Sequence, residues 1–259
     1  MSFAREIEVA RRAAAAAGEV ALRRQSAGLK PVTKPDDSPV TEADRECERL
    51  IAAALEEAFP EDGILGEEGA QKPSRSGRRW IIDPIDGTRD FIRGLPLWCV
   101  MIAVEDHDEV KAGVVHLPPL GQTCWAARDS GAFRNGAALR ASGTSDPSLA
   151  VLSLNGLNKI SAQPHGSRVL EWASKFWAVR SLGGSLDAML LAAGEADVWI
   201  EAGNVAPWDL AAPQVILEEA GAVFFDFSGK RTIHGGHAAA CAPGLEQELR
   251  AFLDMSRTA

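Results

Sequence analysis

No stretch of this 259-residue chain approaches the roughly 18 consecutive apolar residues that a membrane-spanning helix needs. The nearest candidate, Arg11-Arg12 followed by five alanines, meets Glu19 and Arg23-Arg24 at once. That is too short and too charged for a secretory leader, and reads as an amphipathic first helix. Cysteine is scarce: Cys47, Cys99, Cys124 and Cys241 form no C-x-x-C and no zinc-type spacing. They are expected to be small buried hydrophobes in a reducing, cytoplasmic setting. Positive charge is short as well. With 27 Lys and Arg against 36 Asp and Glu, the net charge of −9 leaves nothing basic to answer a nucleic-acid backbone. The balance excludes neither a small phosphorylated metabolite nor bound cations, which reverse a local field. There is no internal repeat and no long linker.

What the chain does have is Trp80-Ile-Ile-Asp-Pro-Ile-Asp-Gly-Thr-Arg-Asp-Phe91. An apolar strand runs into Asp83 and Asp86, and Pro84, which has no N–H for a ladder, is expected to stop it at about Asp83. The turn that follows leaves the N–H groups of Gly87 and Thr88 free. Two carboxylates ~4 Å apart repel by roughly 4 kcal/mol at an effective dielectric of about 20. Such a pair needs protons, basic partners or a metal. Acids beside free amides suit a divalent cation that in turn holds a phosphate, whereas the plainer alternative is a turn capped by Asp.

Asp83-Pro84-Ile85-Asp86-Gly87-Thr88 resembles the signature of the inositol monophosphatase superfamily of metal-dependent, lithium-sensitive phosphomonoesterases. Other pieces fall in the expected order: Pro39-Val-Thr-Glu-Ala-Asp44, then Gly66-Glu67-Glu68. Trp208-Asp209-Leu-Ala-Ala-Pro213, running into Glu218-Glu-Ala-Gly-Ala222, is similar to the second family signature. The match spans nearly the whole chain. It implies an α+β / α/β fold, the layered αβαβα sandwich of the inositol monophosphatase / fructose-1,6-bisphosphatase type.

The pattern of residues divides the chain in two. Residues 1–141 read as an α+β half and 142–259 as an α/β half, packed as one unit. Helices are expected over Phe3 to Gln25 and Thr41 to Phe59, with Thr41 and Asp44 forming a capping box and Pro60 closing the second. Gly28 to Ser38 reads as a loop. Strands Trp98 to Glu105, Val110 to Leu117 and Thr123 to Arg128 suggest an antiparallel sheet, and Asn135-Gly136 a hairpin. Beyond Ser142, strands at Val151, Ala178, Ala196 and Val223 alternate with helices, among them Ser185 to Ala193 and Pro207 to Ala220. His234-Gly-Gly-His237 and the seven tryptophans carry no site geometry: a loop and packing, respectively.

The resemblance assigns roles. Glu67, Asp83, Asp86 and Asp209, with the Ile85 carbonyl, match the metal ligands. The set is all oxygen, favouring two or three Mg²⁺ ions, with Mn²⁺ a substitute. Asp44 and Thr88 match the pair that orients and deprotonates the attacking water, and Glu68 is a further acid near the metals. The amides of Gly87 and Thr88 are expected to hold phosphate oxygens. Gly183, Gly184, Ser185 and Glu201 lie where the family contacts the alcohol, and Asp209 is shared with that side. Glu201 stands eight residues before Asp209 where many relatives have seven.

The implied activity is Mg²⁺-dependent hydrolysis of a phosphate monoester by a metal-activated water. The strings Lys34 to Thr41 and Phe59 to Glu68 resemble the histidinol-phosphatase branch most closely. The order of expectation is histidinol phosphate, then myo-inositol monophosphate. A 3′(2′),5′-bisphosphate nucleotidase comes third, because Arg89-Asp90 departs from the histidinol branch toward that one. A reading of another class is a non-catalytic regulator that binds phosphorylated ligands. Relatives are often dimers, so a homodimer is also an expectation.

Overall fold

The computed structural model describes residues 3–29, 31–34 and 39–254. In chain order the first half contains α1 (Ala4–Ala27), β1 (Val32–Thr33), β2 (Pro39–Val40), α2 (Glu42–Ala58), β3 (Gly63–Gly66) and β4 (Gln71–Lys72). It continues with β5 (Arg78–Asp86), α3 (Thr88–Ile92), β6 (Cys99–Asp106), β7 (Glu109–Leu117), β8 (Gln122–Ala127), β9 (Ala132–Arg134) and β10 (Ala137–Ala138). The second half contains β11 (Val151–Asn155), α4 (Leu157–Ile160), α5 (Val169–Ala173), β12 (Ala178–Arg180), α6 (Gly184–Ala192) and β13 (Val198–Glu201). It ends with α7 (Pro207–Glu219), β14 (Val223–Phe225), β15 (Ala238–Cys241) and α8 (Glu246–Phe252).

An eight-stranded sheet, ordered β10-β9-β8-β7-β6-β5-β3-β4, is antiparallel except where β3 runs parallel to β5. The period of two in its central strands explains the layering. Trp80 and Ile82 of β5, with Val100, Ile102 and Val104 of β6, pack against α1 and α2. Their alternates Ile81, Cys99, Met101 and Ala103 face α6 and α7. Those two helices are covered in turn by a five-stranded sheet, β12-β11-β13-β15-β14, through Trp199, Phe224 and Ala240. Its far face packs on α4, α5 and α8 through Ile160, Trp172 and Phe252. The result is five layers, αβαβα. No helix among the described residues is long and apolar enough to cross a membrane.

The seat of α7 on the large sheet depends on Gly113 of β7. A Cβ there would lie 2.8 Å from Ala212 Cα and from Val215 Cγ1, so helix and strand approach each other across a missing side chain.

Two local expectations need correction, and one strand was not foreseen. The β5 strand does not stop at Asp83 but continues to Asp86, because the β5–β6 register shifts between Asp83 and Asp86. A bulge there means that Pro84 need not supply a ladder bond. The loop expected over Gly28 to Ser38 contains β1, which pairs antiparallel with β2. Residue 30 and residues 35–38, with much of the Lys34 to Thr41 string, lie outside the described residues. Finally, β15 inserts antiparallel between β13 and β14, so the second sheet is mixed. Its Ala-Ala-Ala-Cys sequence has no β-branched residue to mark it as a strand. The Asn135-Gly136 hairpin forms as expected, with φ of 50° and 88°.

Candidate active site

A cleft of about 590 Å³ opens where the two sheets meet across α6 and α7. Its floor is acidic. Carboxylate oxygens of Asp83, Asp86 and Asp209 all lie within 4.8 Å of one another. Asp83 and Asp86 come from the end of β5, and the bulge around Pro84 aims both acids into the same space. Asp209 comes from the first turn of α7. Pro207 opens that helix, and the Ala206 N–H donates to Asp209 Oδ2 at 2.5 Å, fixing the side chain at the helix end.

The cluster is under electrostatic stress. Burial pushes Asp83 well above the usual carboxylate range, and the charges of Glu67, Asp86 and Asp209 push it further. Burial also raises Asp209, reinforced by Asp86 and resisted by the Ala206 N–H. Glu67 is raised by burial against the pull of Lys34. Asp83, Asp86 and Asp209 have no ion-pair partner among the described residues, an arrangement that hard cations relieve.

Lys34 is the residue that sequence reasoning missed here. Its Nζ lies 2.9 Å from Glu67 Oε1 and 2.5 Å from Glu68 Oε1. Burial works to lower its pKa, but the bonds to Glu68 and Glu67 win and hold it above the usual lysine range. Its loop position gave no periodic signal. Glu48 was missed as well: buried on α2, it accepts the N–H groups of Glu68 and Ala70, each at 2.7 Å, and so shapes the Glu67-Glu68 turn.

Asp44 is fully buried in the first turn of α2. Its Oδ2 accepts the Thr41 N–H at 2.8 Å and the Thr41 hydroxyl at 2.6 Å, while Oδ1 has no partner. Thr88 Oγ1 donates to the Ile85 carbonyl at 3.1 Å. Among the described residues no hydrogen bond joins Asp44 to Thr88. Gly87 has φ 83°, and a Cβ on it would lie 2.7 Å from the Leu97 carbonyl, so only glycine fits this turn. The N–H groups of Gly87 and Thr88 have no protein partner among the described residues.

On the opposite wall, the Ser185 N–H donates to Asp86 Oδ2 at 2.9 Å, and Gly184 lies against the same carboxylate. The Ser185 hydroxyl turns away into the core, 2.9 Å from Met101 Sδ. Gly183 faces Asp90, whose Oδ2 is 3.3 Å from the position a Cβ would take. Glu201 lines the cleft, and its Oε1 accepts the Gly203 N–H at 3.1 Å. Burial pushes Glu201 up to about 7, with Gly203 opposing and Asp86 adding to the rise. Lys159, unnoticed in the sequence, stands beside Glu201 across Gly203.

An acid-lined cleft between the two sheets of a five-layer α/β sandwich sets the class of this molecule. A sequence profile of the inositol monophosphatase family matches residues 4–254, and the chain belongs to that family. It is 42% identical over 208 residues to the histidinol-phosphatase of Chlorobaculum parvum, covering 80% of each chain. It is 38% identical over 192 residues to the fructose-1,6-bisphosphatase/inositol-1-monophosphatase of Thermotoga maritima, covering 74% of this chain and 72% of that one. Among solved structures, extragenic suppressor protein suhB from Bartonella henselae superposes with a TM-score of 0.87 at 30% identity. That superposition covers 96% of this chain and 98% of the other.

Proposed function

We propose that this chain hydrolyses a small phosphate monoester with Mg²⁺, taking histidinol phosphate first and myo-inositol monophosphate second. The observation that carries this reading is the meeting of Asp83, Asp86 and Asp209, drawn from two elements more than a hundred residues apart, beside the free amides of Gly87 and Thr88. The donor set fits the ion: oxygens only, strained by mutual repulsion, with a buried Asp44 oxygen still unpartnered. Glu67, Asp83, Asp86, Asp209 and the Ile85 carbonyl are the groups to hold it.

When bound, Mg²⁺ supplies charge neutralisation for the phosphate and lowers the pKa of coordinated water. The chain's own residues do the positioning. The amides of Gly87 and Thr88 orient phosphate oxygens. The roles left for Asp44, whose Oδ1 has no partner, and for the Thr88 hydroxyl are to orient and help deprotonate the attacking water, with Glu68 a further acid. Phosphoryl transfer through a loose transition state asks mainly for such placement and charge compensation. Glu201 faces the alcohol, and its neighbourhood with Lys159 and Asp90 favours a substrate carrying charge of its own. An amine-bearing alcohol fits that better than a neutral polyol, and the histidinol-phosphatase relative points the same way.

The test is phosphate release, with and without EDTA, across histidinol phosphate, inositol-1-phosphate, fructose-1,6-bisphosphate and 3′-phosphoadenosine 5′-phosphate. The expected result is Mg²⁺-dependent, Li⁺-inhibited turnover with the highest kcat/KM on histidinol phosphate. Full activity in EDTA would sink the metal reading. Metal binding without turnover of any ester would replace the enzyme with a phospho-ligand-binding regulator.

A further inference from the structure

Asp187 is fully buried in α6, a helix otherwise apolar from Leu186 to Ala192, and does not line the cleft. No ion pair among the described residues includes it. A buried carboxylate without a cation is costly and survives only where its oxygens are well used. One of them is: Oδ2 accepts the N–H groups of Leu182 and Gly183, each at 3.0 Å. Those two residues form the turn that enters α6.

The same turn continues into the metal-facing wall. Gly183 and Gly184 have φ of 126° and 44°, bending the chain sharply. Asn155 Nδ2, at the end of β11, donates to the Gly184 carbonyl at 3.1 Å. The next peptide presents the Ser185 N–H to Asp86 Oδ2 at 2.9 Å. A Cβ on Gly184 would lie 2.5 Å from that oxygen, so the turn can approach only because the side chain is absent. Asp86 is donated by the first half of the chain, yet its orientation is fixed by a turn of the second.

We infer that Asp187 is a positioning residue for the cation site: it locks the 182–184 turn so that the Ser185 N–H holds Asp86 in its ligating orientation. Groups that orient a metal ligand typically alter metal affinity by about 10- to 100-fold when removed. An ordinary helix-capping role would instead alter stability and leave affinity alone. The inference rests on the proposed reading of the cleft as a Mg²⁺ site.

The experiment is Mg²⁺ titration of the full-length protein by calorimetry, without substrate, for wild type, Asp187→Ala, Asp187→Asn and Gly184→Ala. Asp187→Ala is expected to weaken Mg²⁺ binding by about 10- to 100-fold. Asp187→Asn keeps an oxygen for the two N–H groups and can donate toward the nearby Ser153 hydroxyl, so it is expected to restore affinity to near wild type. Gly184→Ala, which pushes directly on Asp86, is expected to lose affinity as Asp187→Ala does. In Mg²⁺-dependent turnover the metal requirement should rise while KM for ester at saturating Mg²⁺ stays put. A folded Asp187→Ala protein with wild-type Mg²⁺ affinity overturns the inference. If that variant does not fold, Asp187→Leu, which fills the buried space without an acceptor for the Leu182 and Gly183 N–H groups, decides in the same way. Wild-type protein that binds no Mg²⁺ at all would remove the site itself, and so the functional reading along with this one.

Discussion

Lys34 Nζ sits 2.9 Å from Glu67 Oε1, so an ammonium from the β1–β2 region rests on an acid expected to hold a dication. A doubly charged ion close to Glu67 and Glu68 outcompetes a single positive charge at the same oxygens. Mg²⁺ should therefore release Lys34, and the freed amine should return toward ordinary basicity and become more reactive. Lysine labelling read by mass spectrometry is expected to rise at Lys34 in saturating Mg²⁺. Unchanged or lower labelling would show that the ammonium and the ion coexist.

Asp209 is the one acid of the cluster that α7 brings in. Asp209→Asn keeps the shape and the bond from the Ala206 N–H but removes a charge. Its turnover should fall by at least about 100-fold, with weaker Mg²⁺ binding. Because burial and Asp86 raise the Asp209 pKa, the metal-free variant should also be no less stable than wild type at neutral pH. Steady-state kinetics and a thermal melt in EDTA check both halves.

Glu201 gives a pH-dependent prediction. Its pKa rises from an ordinary 4.5 to about 7 in the folded chain, so the fold binds its proton more tightly than the unfolded chain does. The contribution to stability is complete below about 4.5 and is lost as pH rises to about 7. Above that, the buried charge costs at most roughly 3 kcal/mol. Glu201→Gln in EDTA should exceed wild type in stability at pH 8 and match it at low pH, measured by urea unfolding. An equal difference at both pH values would count against this account.

Thr41 caps α2 and holds Asp44 through two bonds. Thr41→Ala should cost about 1–2 kcal/mol of stability, as loss of a helix cap does. It should also lower kcat more than it raises KM, because the Asp44 carboxylate loses the hydroxyl that fixes its rotation. Chemical denaturation and kinetics on the same preparation separate the two effects.

Much of this was legible in the chain itself. Asp83, Asp86 and Gly87-Thr88 announce a strand end with acids and free amides, and Thr41 with Asp44 spells a capping box. The α6 and α7 helices of the second half follow from alternation, whereas the pairing order of its sheet does not. Features that depend on tertiary approach were not legible. Lys34 reaches Glu67 and Glu68 from a loop. Pro84 is tolerated only because β6 allows a register shift opposite it. The Ser185 hydroxyl finds Met101 rather than the cleft, a choice made by packing between α6 and β6. Buried Ala238 to Cys241 form a strand because β13 and β14 flank them, not from any propensity of their own.

The bare backbone at Gly113 has a reach beyond its own strand. The helix it admits carries Asp209 in its first turn, and Ala212 rests on that spot within one turn of the acid. One methyl group on β7 would lift α7 and carry the acid away from its partners on β5. The spacing of the three carboxylates is thus kept on a strand that contributes no acid to the cluster.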